Sequence, residues 1–552
     1  MSRSGAVRAA AFALVLVLVW LIAYPLVLVL HDAVRDGHGF TLGPVRAFLQ
    51  RRNEWLALWD SLWISLASVA LAAAIGVPLA FLFGRYDFPG RRWLAAAVAL
   101  PAVLPPLVGT LAFLFLYGET GFIARLVQAA MHREEAPWRL QGAGAILLVH
   151  AYSMYVYFYL FVRAGMAGIG GSAYEAAASL GAGRWRTLVR VILPLLRPAL
   201  IGAALLTFMT SLASFSAPYL FGGGFRVMTT QIVSTRLNGD NALAMVETVS
   251  LTLVALAGLW LLRRADAPDA SGAIGKGVAP PPAPIAAPWL RWLLSALASV
   301  LAVVLLLPHL TLLVVSLVPL GTWTTEAVPP AYTLHNYGTL LRDPVRLWPL
   351  INSLWMGAAA TVGAVAAALA AGWLVVRLRA PGAGAIELLL ALPWAVPGTV
   401  FAIALATAFS VDSPVTGRVV LVGTLWILPL AYLIRNLPIT GRALLAGFRR
   451  LDPSLDEAAA SLGAGRWRTL RRVTLPLLRP SLVAGATLAF VTGFGDFVTS
   501  IMLYTYDTRP ISLEILASLR QSDVGVAAAY GVVLMLVSTA VFALGAERRQ
   551  TG

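Results

Sequence analysis

Apolar runs of about twenty residues recur along the whole chain, and they constrain its fold more than any other feature. A helix needs roughly 20 mainly apolar residues to cross about 30 Å of hydrocarbon. Hydrophobic residues make up 59% of the 552 residues and charged residues 12%, whereas a soluble domain carries roughly 25% charged residues. One soluble core cannot bury this much apolar surface, so we expect an all-α polytopic protein embedded in a lipid bilayer.

Twelve runs have the required length. We predict membrane-spanning helices at 9–30, 61–83, 93–117, 142–162, 199–222, 243–262, 292–318, 352–376, 386–410, 418–436, 481–505 and 524–545. The first run follows Arg3 and Arg8, as a signal peptide does. It is too long for a signal-peptide core and lacks a small-residue cleavage site before His31, so we expect a retained helix.

Basic residues indicate how the spans are oriented. With the N-terminus inside, the inner loops carry net charge +18 and the rest of the chain −2. The positive-inside rule then places both termini, and the longest arginine-rich loops, in the cytoplasm. These residues lie in short loops without an interleaved aromatic pattern, so we expect no nucleic-acid partner. The absence of cysteine excludes disulfides, thiolate metal sites and cysteine nucleophiles.

The chain is built from two similar halves of six spans, 1–264 and 289–552, joined by a Pro/Ala/Gly-rich stretch at 265–288 that we expect to be a cytoplasmic linker. Asp60-Ser-Leu-Trp63 recurs as Asn352-Ser-Leu-Trp355. Each third span carries two prolines four residues apart: Pro101 and Pro105, Pro393 and Pro397. Parallel halves suggest a translocation path between them, and we expect these prolines to kink the helices that line it.

The strongest repeat lies between the fourth and fifth span of each half. Residues 175–200 and 457–482, the repeat loops, agree at 23 of 26 positions with a constant offset of 282. Each begins with an acid where a helix dipole favours one, and Gly181 and Gly463 stand where a left-handed residue ends a helix. An amphipathic stretch with Trp185 follows, and we expect Leu193-Pro194 and Leu475-Pro476 to break it.

Such a stretch can rest on anionic lipid, but two copies favour a docking partner that is itself two-fold. The repeat loops resemble the EAA loop of ABC-type importer permeases, in which E-A-A precedes a glycine by six positions and an aliphatic-x-Leu-Pro group follows. The matching residues are Glu175, Ala176, Ala177, Gly181, Val191, Leu193 and Pro194, and Glu457, Ala458, Ala459, Gly463, Val473, Leu475 and Pro476.

The resemblance implies the ABC type I importer permease fold. It also implies that each loop forms a short coupling helix seated on one subunit of an ATPase homodimer, while a periplasmic binding protein delivers substrate. Fused permeases resembling this chain serve ferric iron and thiamine. Stretches at 222–231 and 237–240 look most like ferric-iron permeases, and thiamine, polyamine, sulfate and aminophosphonate remain open.

No catalytic or cofactor motif is visible. The single lysine, Lys276, lacks the glycine and the Ser or Thr of a phosphate-binding loop. We therefore expect ATP and Mg²⁺ to be used by the partner and no cofactor to be bound here. An ion-coupled carrier of twelve helices is the alternative class, because 84–92 approximates that family's G-x-x-x-D-R-x-G-R-R motif, one residue short and without the arginine after the aspartate.

Polar groups within spans are costly and usually functional. Asp496 is the clearest, and its repeat partner is Ser214. Asp496 could attract a cation in the path or bind a neighbouring helix. His150 and His309 are expected to be helix-packing groups, and the six scattered histidines show no metal-ligand spacing.

Overall fold

Helices dominate the computed structural model, which describes residues 3–36, 39–265, 282–323 and 328–550. The first half contains α1 (Arg3–Leu18), α2 (Tyr24–Asp32), α3 (Gly43–Gln50), α4 (Arg52–Arg85), α5 (Arg91–Ala99), α6 (Pro106–Tyr117), α7 (Phe122–Met131), α8 (Gly142–Gly168), α9 (Gly171–Ser179), α10 (Arg184–Thr187), α11 (Leu193–Leu212), α12 (Ser216–Phe221), α13 (Met228–Leu237) and α14 (Asn241–Ala265).

The second half follows the same order, except that one helix stands in place of α1 and α2 and no described helix corresponds to α7. It contains α15 (Pro288–Val315), α16 (His335–Arg342), α17 (Pro344–Gly372), α18 (Ala383–Ala395), α19 (Gly398–Ala408), α20 (Ile427–Arg450), α21 (Ser454–Ser461), α22 (Arg466–Thr469), α23 (Leu475–Phe494), α24 (Val498–Leu503), α25 (Ile511–Arg520) and α26 (Val524–Gln550). Short π-helical turns lie at Val19–Ala23, Leu188–Ile192, Trp373–Arg377 and Leu470–Thr474, and 3₁₀ turns at Leu100–Val103 and Pro414–Thr416.

In the described ranges, strands are limited to two pairs of two residues each. β1 (Arg35–Asp36) runs antiparallel to β2 (Gly39–Phe40), and β3 (Tyr86–Asp87) runs parallel to β4 (Ala283–Pro284). The second pair joins the turn after α4 to the segment before α15. Most of the predicted linker at 265–288 lies outside the described residues.

Ten helical stretches in the described ranges are long and apolar enough to span a membrane, and the α18–α19 pair, bent by 111°, makes an eleventh. The predicted span at 418–436 is wrong in its bounds. A helix begins only at Ile427 and continues to Arg450, and arginines such as Arg435 and Arg442 lower its hydropathy. This helix, α20, packs on α17 as α8 packs on α4, and so completes six helical segments in each half.

Four of the predicted spans are interrupted. The spans at 199–222 and 481–505 end at Leu212 and Phe494, and a short helix follows each break. The third span of each half stops before a proline, because Pro105 and Pro397 precede α6 and α19 and adopt extended backbone there. The prediction of a kink is confirmed at Pro397, where the two helices are bent by 111°, and the helix is broken at Pro105. Pro101 lies in the 3₁₀ turn before that break, and Pro393 lies inside α18.

Small residues let the second span of each half approach its neighbours closely, as is usual for helices packed in lipid. On α4 a buried row of Ser61, Ser65, Ser68, Ala72 and Gly76 follows one helix face. At Gly76 a Cβ atom would lie 2.3 Å from the carbonyl oxygen of Tyr155 on α8. Since backbone cannot move aside cheaply, only glycine fits at this crossing.

The two halves interlock through their first helices. The first-span helices α1 and α2 pack against α18 and α19 of the second half, while α15 packs against α5 and α6 of the first. Each half therefore encloses part of the other, and their third spans lie at the interface.

The predicted helix break at Leu193-Pro194 and Leu475-Pro476 is wrong. The helix runs without a break from Arg184 to Leu212 and from Trp467 to Phe494. A π-helical turn stands directly before the Leu-Pro pair in each loop. Such a local change in the hydrogen-bond pattern is how a continuous membrane helix accommodates a proline that has no N–H.

Candidate functional site

The repeat loops lie at one end of the bundle, here called the loop face, and their backbones are alike. In the first, the N–H groups of Gly181 and Ala182 donate to the carbonyls of Ala178 and Ala177, both at 2.9 Å. The second loop repeats both bonds at the same length. Gly181 and Gly463 have φ of +68° and +75°, the left-handed conformation predicted for them.

Each loop presents two large apolar side chains to solvent. Leu180 and Leu462 are 86% and 87% exposed, and Trp185 and Trp467 are 75% and 73% exposed. Exposed apolar groups at matching places mark an interaction surface better than isolated ones do. Helical spacing predicts one apolar face for Trp185, Leu188, Val189 and Ile192. This prediction is wrong, because Trp185 is exposed to solvent whereas Ile192 is buried.

The remaining predicted loop residues divide between surface and interior. Glu175, Ala176, Pro194, Glu457, Ala458 and Pro476 are exposed, Leu193 and Leu475 are half-buried, and Ala177 and Ala459 are buried. Glu457 lies in the first turn of α21, as expected. Glu175 does not lie in the first turn of α9, because that helix begins earlier, at Gly171.

Asp452 lies two residues before α21, the helix that leads into the second repeat loop. Its carboxylate accepts the backbone N–H of Ser454 at 2.9 Å. This bond, with the Ser454 side chain and the nearby Arg377, lowers the pKa of Asp452 from its ordinary value. The negative charge lies beside the start of α21, where the helix dipole favours it.

The two halves meet near their repeat axis through aromatic rings. Phe215 and Phe497 are repeat partners at the 282 offset, and their ring centroids are 5.7 Å apart. Tyr219 stacks on Phe215 at 5.1 Å and contacts Phe497 at 6.1 Å. Both phenylalanines are buried, so the rings form a closed contact between the halves, here called the aromatic contact.

The aromatic contact lies far from the loop face. It follows α11 and α23, each 20 residues long, a rise of about 30 Å. Pro105 lies beside it, since a Cβ atom on Gly495 would come within 2.8 Å of the Pro105 Cβ. This contact is not among the predictions from the sequence, although phenylalanine at both repeat positions, 215 and 497, is a signal for it.

Asp496 does not lie within a spanning helix as predicted, but in the break between α23 and α24. Its carboxylate accepts the backbone N–H groups of Thr499 and Ser500 at 2.9 and 3.1 Å, and so caps α24. Arg435 on α20 donates to the same carboxylate at 2.5 Å and to the hydroxyl of Thr499 at 2.9 Å. The carboxylate is buried and paired, which fits a helix-joining role.

Ser214 occupies the same place in the first half with uncharged partners. Its hydroxyl lies 2.9 Å from Nε2 of His150, whose Nδ1 lies 2.9 Å from Ser68 and 3.1 Å from Ser211. His150 is therefore a satisfied packing group, as expected. His309 lies elsewhere, 3.2 Å from the hydroxyl of Tyr152.

The backbone around both breaks is held in the same way. Thr229 donates to the carbonyl of Ser214, and Ser512 to that of Asp496, both at 2.7 Å. Ser61 accepts the N–H of Met228 at 2.7 Å, and Ser353 that of Ile511 at 2.8 Å. Of the predicted path residues, Pro105 lies beside Gly495 and Ser214 directly precedes Phe215 of the aromatic contact. Pro101 and Pro393 are buried in their third spans.

Within the described residues, no group of three or more His, Cys, Asp or Glu side chains is placed to hold a metal ion. The candidate site consists of the apolar aromatic contact, the polar groups beside it and the two solvent-exposed loops.

Comparison with known proteins identifies one family twice in the chain. The family described as "Binding-protein-dependent transport system inner membrane component" matches residues 76–266 and 363–546. The two matches contain both repeat loops and all three rings of the aromatic contact.

Curated relatives match nearly the whole chain. A probable ABC transporter permease of Sinorhizobium fredii is 30% identical over 93% of this chain and 92% of its own length. The ferric transport system permease of Actinobacillus pleuropneumoniae is 29% identical over 96% of this chain and 77% of its own length. The thiamine transport system permease of Escherichia coli is 26% identical over 89% of this chain and 90% of its own length. A solved bacterial alginate importer chain aligns with TM-score 0.39 and 18% identity, covering 48% of this chain and 96% of that one.

Proposed function

The chain belongs to the family of binding-protein-dependent transport system inner membrane components, and from that premise we propose that it is the fused permease of an ATP-driven importer that docks one ATPase subunit at each repeat loop. The loop face is then cytoplasmic, with both termini on that side of a bacterial inner membrane. A periplasmic binding protein delivers substrate to the opposite face. ATP and Mg²⁺ are used by the ATPase and not by this chain.

The observation that carries the proposal is the duplicated loop surface. Leu180 and Leu462 are exposed to nearly the same extent, and so are Trp185 and Trp467. A lipid surface would not require the two copies to match in backbone bonds, glycine conformation and side-chain exposure. Two identical docking surfaces fit a partner with two identical sites, as an ATPase homodimer has.

The aromatic contact supplies the closed gate of the path in this proposal. Phe215, Tyr219 and Phe497 join the halves on the side away from the loops. Movement of the loops by ATP-driven closure of the ATPase would separate the halves here and open the path outward. The interlocked first helices keep the halves together during that movement.

We propose ferric iron as the substrate. Two ferric transport permeases, at 29% and 28% identity over 96% and 90% of this chain, support this choice. Thiamine is the second candidate, supported by a thiamine permease that matches 89% of the chain.

The test is uptake by the reconstituted importer. The chain is purified with its co-expressed ATPase and binding protein, and the ligand of the binding protein is identified. We expect ATP-dependent uptake of radiolabelled ferric ion into liposomes. Uptake of thiamine in its place would overturn the substrate, and uptake driven by an ion gradient without ATP would overturn the whole proposal.

A loop variant tests docking directly. Gly463→Pro removes the N–H that donates to Ala460 and cannot adopt the positive φ of this position. We expect normal membrane insertion and a loss of ATP-coupled transport. Gly465→Ala is the matched control, since a Cβ there meets nothing within 4 Å. Full coupling in Gly463→Pro would contradict the docking role.

A further inference from the structure

An arginine stands at the loop-face end of the second span in both halves. Arg85 is followed by Pro89-Gly90, and Arg377 by Pro381-Gly382, at a constant offset of 292. Both glycines have positive φ, +75° and +82°, so the two turns are built alike. The two arginines are therefore repeat equivalents.

Each arginine contacts the residue immediately before the loop glutamate. Arg377 lies 3.2 Å from the carboxylate of Asp456, and its side chain is only 7% exposed. The guanidinium of Arg85 lies over the ring of Tyr174, 4.4 Å from its centre. Tyr174 and Asp456 are repeat partners at the 282 offset. The same contact thus occurs within each half, as an ion pair in the second half and as an arginine–aromatic contact in the first.

These contacts join parts of the molecule with different surroundings. The loop helices α9 and α21 are mostly exposed, with Ala177 and Ala459 as their buried residues. The second spans, α4 and α17, pack along the fourth and fifth spans of their halves. A force on a loop therefore reaches the bundle at the second span as well as through the fifth span that continues the loop.

We propose that Arg85 and Arg377 are positioning residues that couple each repeat loop to the second span of its half. This rests on the proposed function, because it assumes that an ATPase moves the loops. The arginines touch neither substrate nor nucleotide. They hold each loop in register with its half, so that loop movement is transmitted to the aromatic contact instead of being lost in local bending.

The test uses the complete importer, with this chain, its ATPase and its binding protein in liposomes. ATP hydrolysis is measured with and without the loaded binding protein, and the number of ATPase subunits bound per chain is measured alongside. For Arg377→Ala and Arg85→Ala we expect unchanged ATPase binding and basal hydrolysis, with stimulation by the binding protein reduced about tenfold. Arg450→Ala, an exposed arginine on the same face, is the control and should keep full stimulation.

Giving the second loop the arginine partner of the first loop distinguishes a positioning role from a purely structural one. Asp456→Tyr gives the second loop the partner that Arg85 has in the first, so an arginine–aromatic contact replaces the ion pair. We expect Asp456→Tyr to keep most of the stimulation and Asp456→Ala to lose it. Equal behaviour of these two variants would overturn the inference.

The outcomes also separate this inference from the function on which it rests. Stimulation within about twofold of the unmodified chain in both arginine variants would overturn the positioning role and leave the importer intact. If the Arg377→Ala chain does not assemble with the ATPase, the comparison of Asp456→Tyr with Asp456→Ala tests the positioning role. An unmodified chain that binds no ATPase would instead contradict the proposed function itself.

Discussion

The breaks before α12 and α24 occupy the same place in the two halves, and their side chains differ. In the first half, Ser214 meets His150 in a neutral cluster. In the second, Asp496 meets Arg435 in an ion pair. The backbone bonds that Thr229 and Ser512 make to these breaks are equal in length. The fold thus depends on the bonds that both halves share, and the side chains at the break have diverged around them.

A second place shows the same contrast. Glu54 and Glu247 are buried in the first half, where Gln231 donates to Glu54 at 3.2 Å and Thr235 to Glu247 at 2.7 Å. The equivalents of the two glutamates by the repeat are Arg346 and Tyr530, and Arg346 forms a 3.0 Å ion pair with Asp523. At this place the second half joins its helices by an ion pair, whereas the first half uses neutral hydrogen-bond donors.

Breaking the charged pair should give the largest effect. Asp496→Asn leaves Arg435 without its partner and weakens the cap of α24, so we expect a loss of about 3–5 kcal/mol in the free energy of unfolding. Ser214→Ala, the matched change in the first half, removes one neutral bond and should cost about 1 kcal/mol. Denaturant titration of the detergent-solubilised chain measures both.

Replacing the charged pair by the equivalent residues of the first half tests this comparison further. The repeat partners of Arg435 and Asp496 are Ser153 and Ser214, so Arg435→Ser combined with Asp496→Ser gives the second half the residues of the first. We expect the double variant to be more stable than Asp496→Asn, because no unpaired charge remains. A double variant that is less stable than the single one would contradict the assigned role of the pair.

A substitution at the crossing of α4 and α8 should give the next largest loss in the free energy of unfolding. Gly76→Ala places a Cβ against the backbone of Tyr155, and we expect a loss of about 1–3 kcal/mol from overpacking. The equivalent residue, Ala368, is already a buried alanine, so Ala368→Gly should cost only about 0.5–1 kcal/mol. Gly144→Ala is the control, because its Cβ would meet nothing within 4 Å. A Gly76→Ala chain as stable as this control would refute the close approach.

Removing a hydrogen bond that both halves share should cause the smallest loss of stability, and the loss should be the same in each half. Ser61→Ala and Ser353→Ala each remove the acceptor of a buried backbone N–H. We expect each to lower the free energy of unfolding by about 0.5–1.5 kcal/mol. The two losses should agree within about 0.5 kcal/mol. Clearly unequal losses would show that the framework is not shared.

Much of the fold could be predicted because its signals are local. Apolar length identified the spans other than α20, and Gly181 and Gly463 adopt the left-handed conformation that their position requires. Pro105 and Pro397 bend the chain where they occur. Each of these depends on a few neighbouring residues, so no knowledge of the partner half was needed.

The rest depends on contacts between distant segments. Nothing near Asp496 indicates that Arg435, 61 residues earlier, would pair with it and allow the chain to turn between α23 and α24. The contact of Phe215 with Phe497 requires the two halves to be assembled. The exposure of Leu180 and Leu462 likewise follows from how the loops stand on the bundle and not from their hydrophobicity.

The most direct test of the proposed function is the number of ATPase subunits bound to one chain, measured by native mass spectrometry of the intact complex. Two equivalent loops predict two ATPase subunits per chain, and Leu462→Asp should reduce that number by weakening one site. A complex with two subunits in the unmodified chain would support docking at both loops. A chain that binds none, or one that binds two regardless of changes at Leu180 and Leu462, would contradict it.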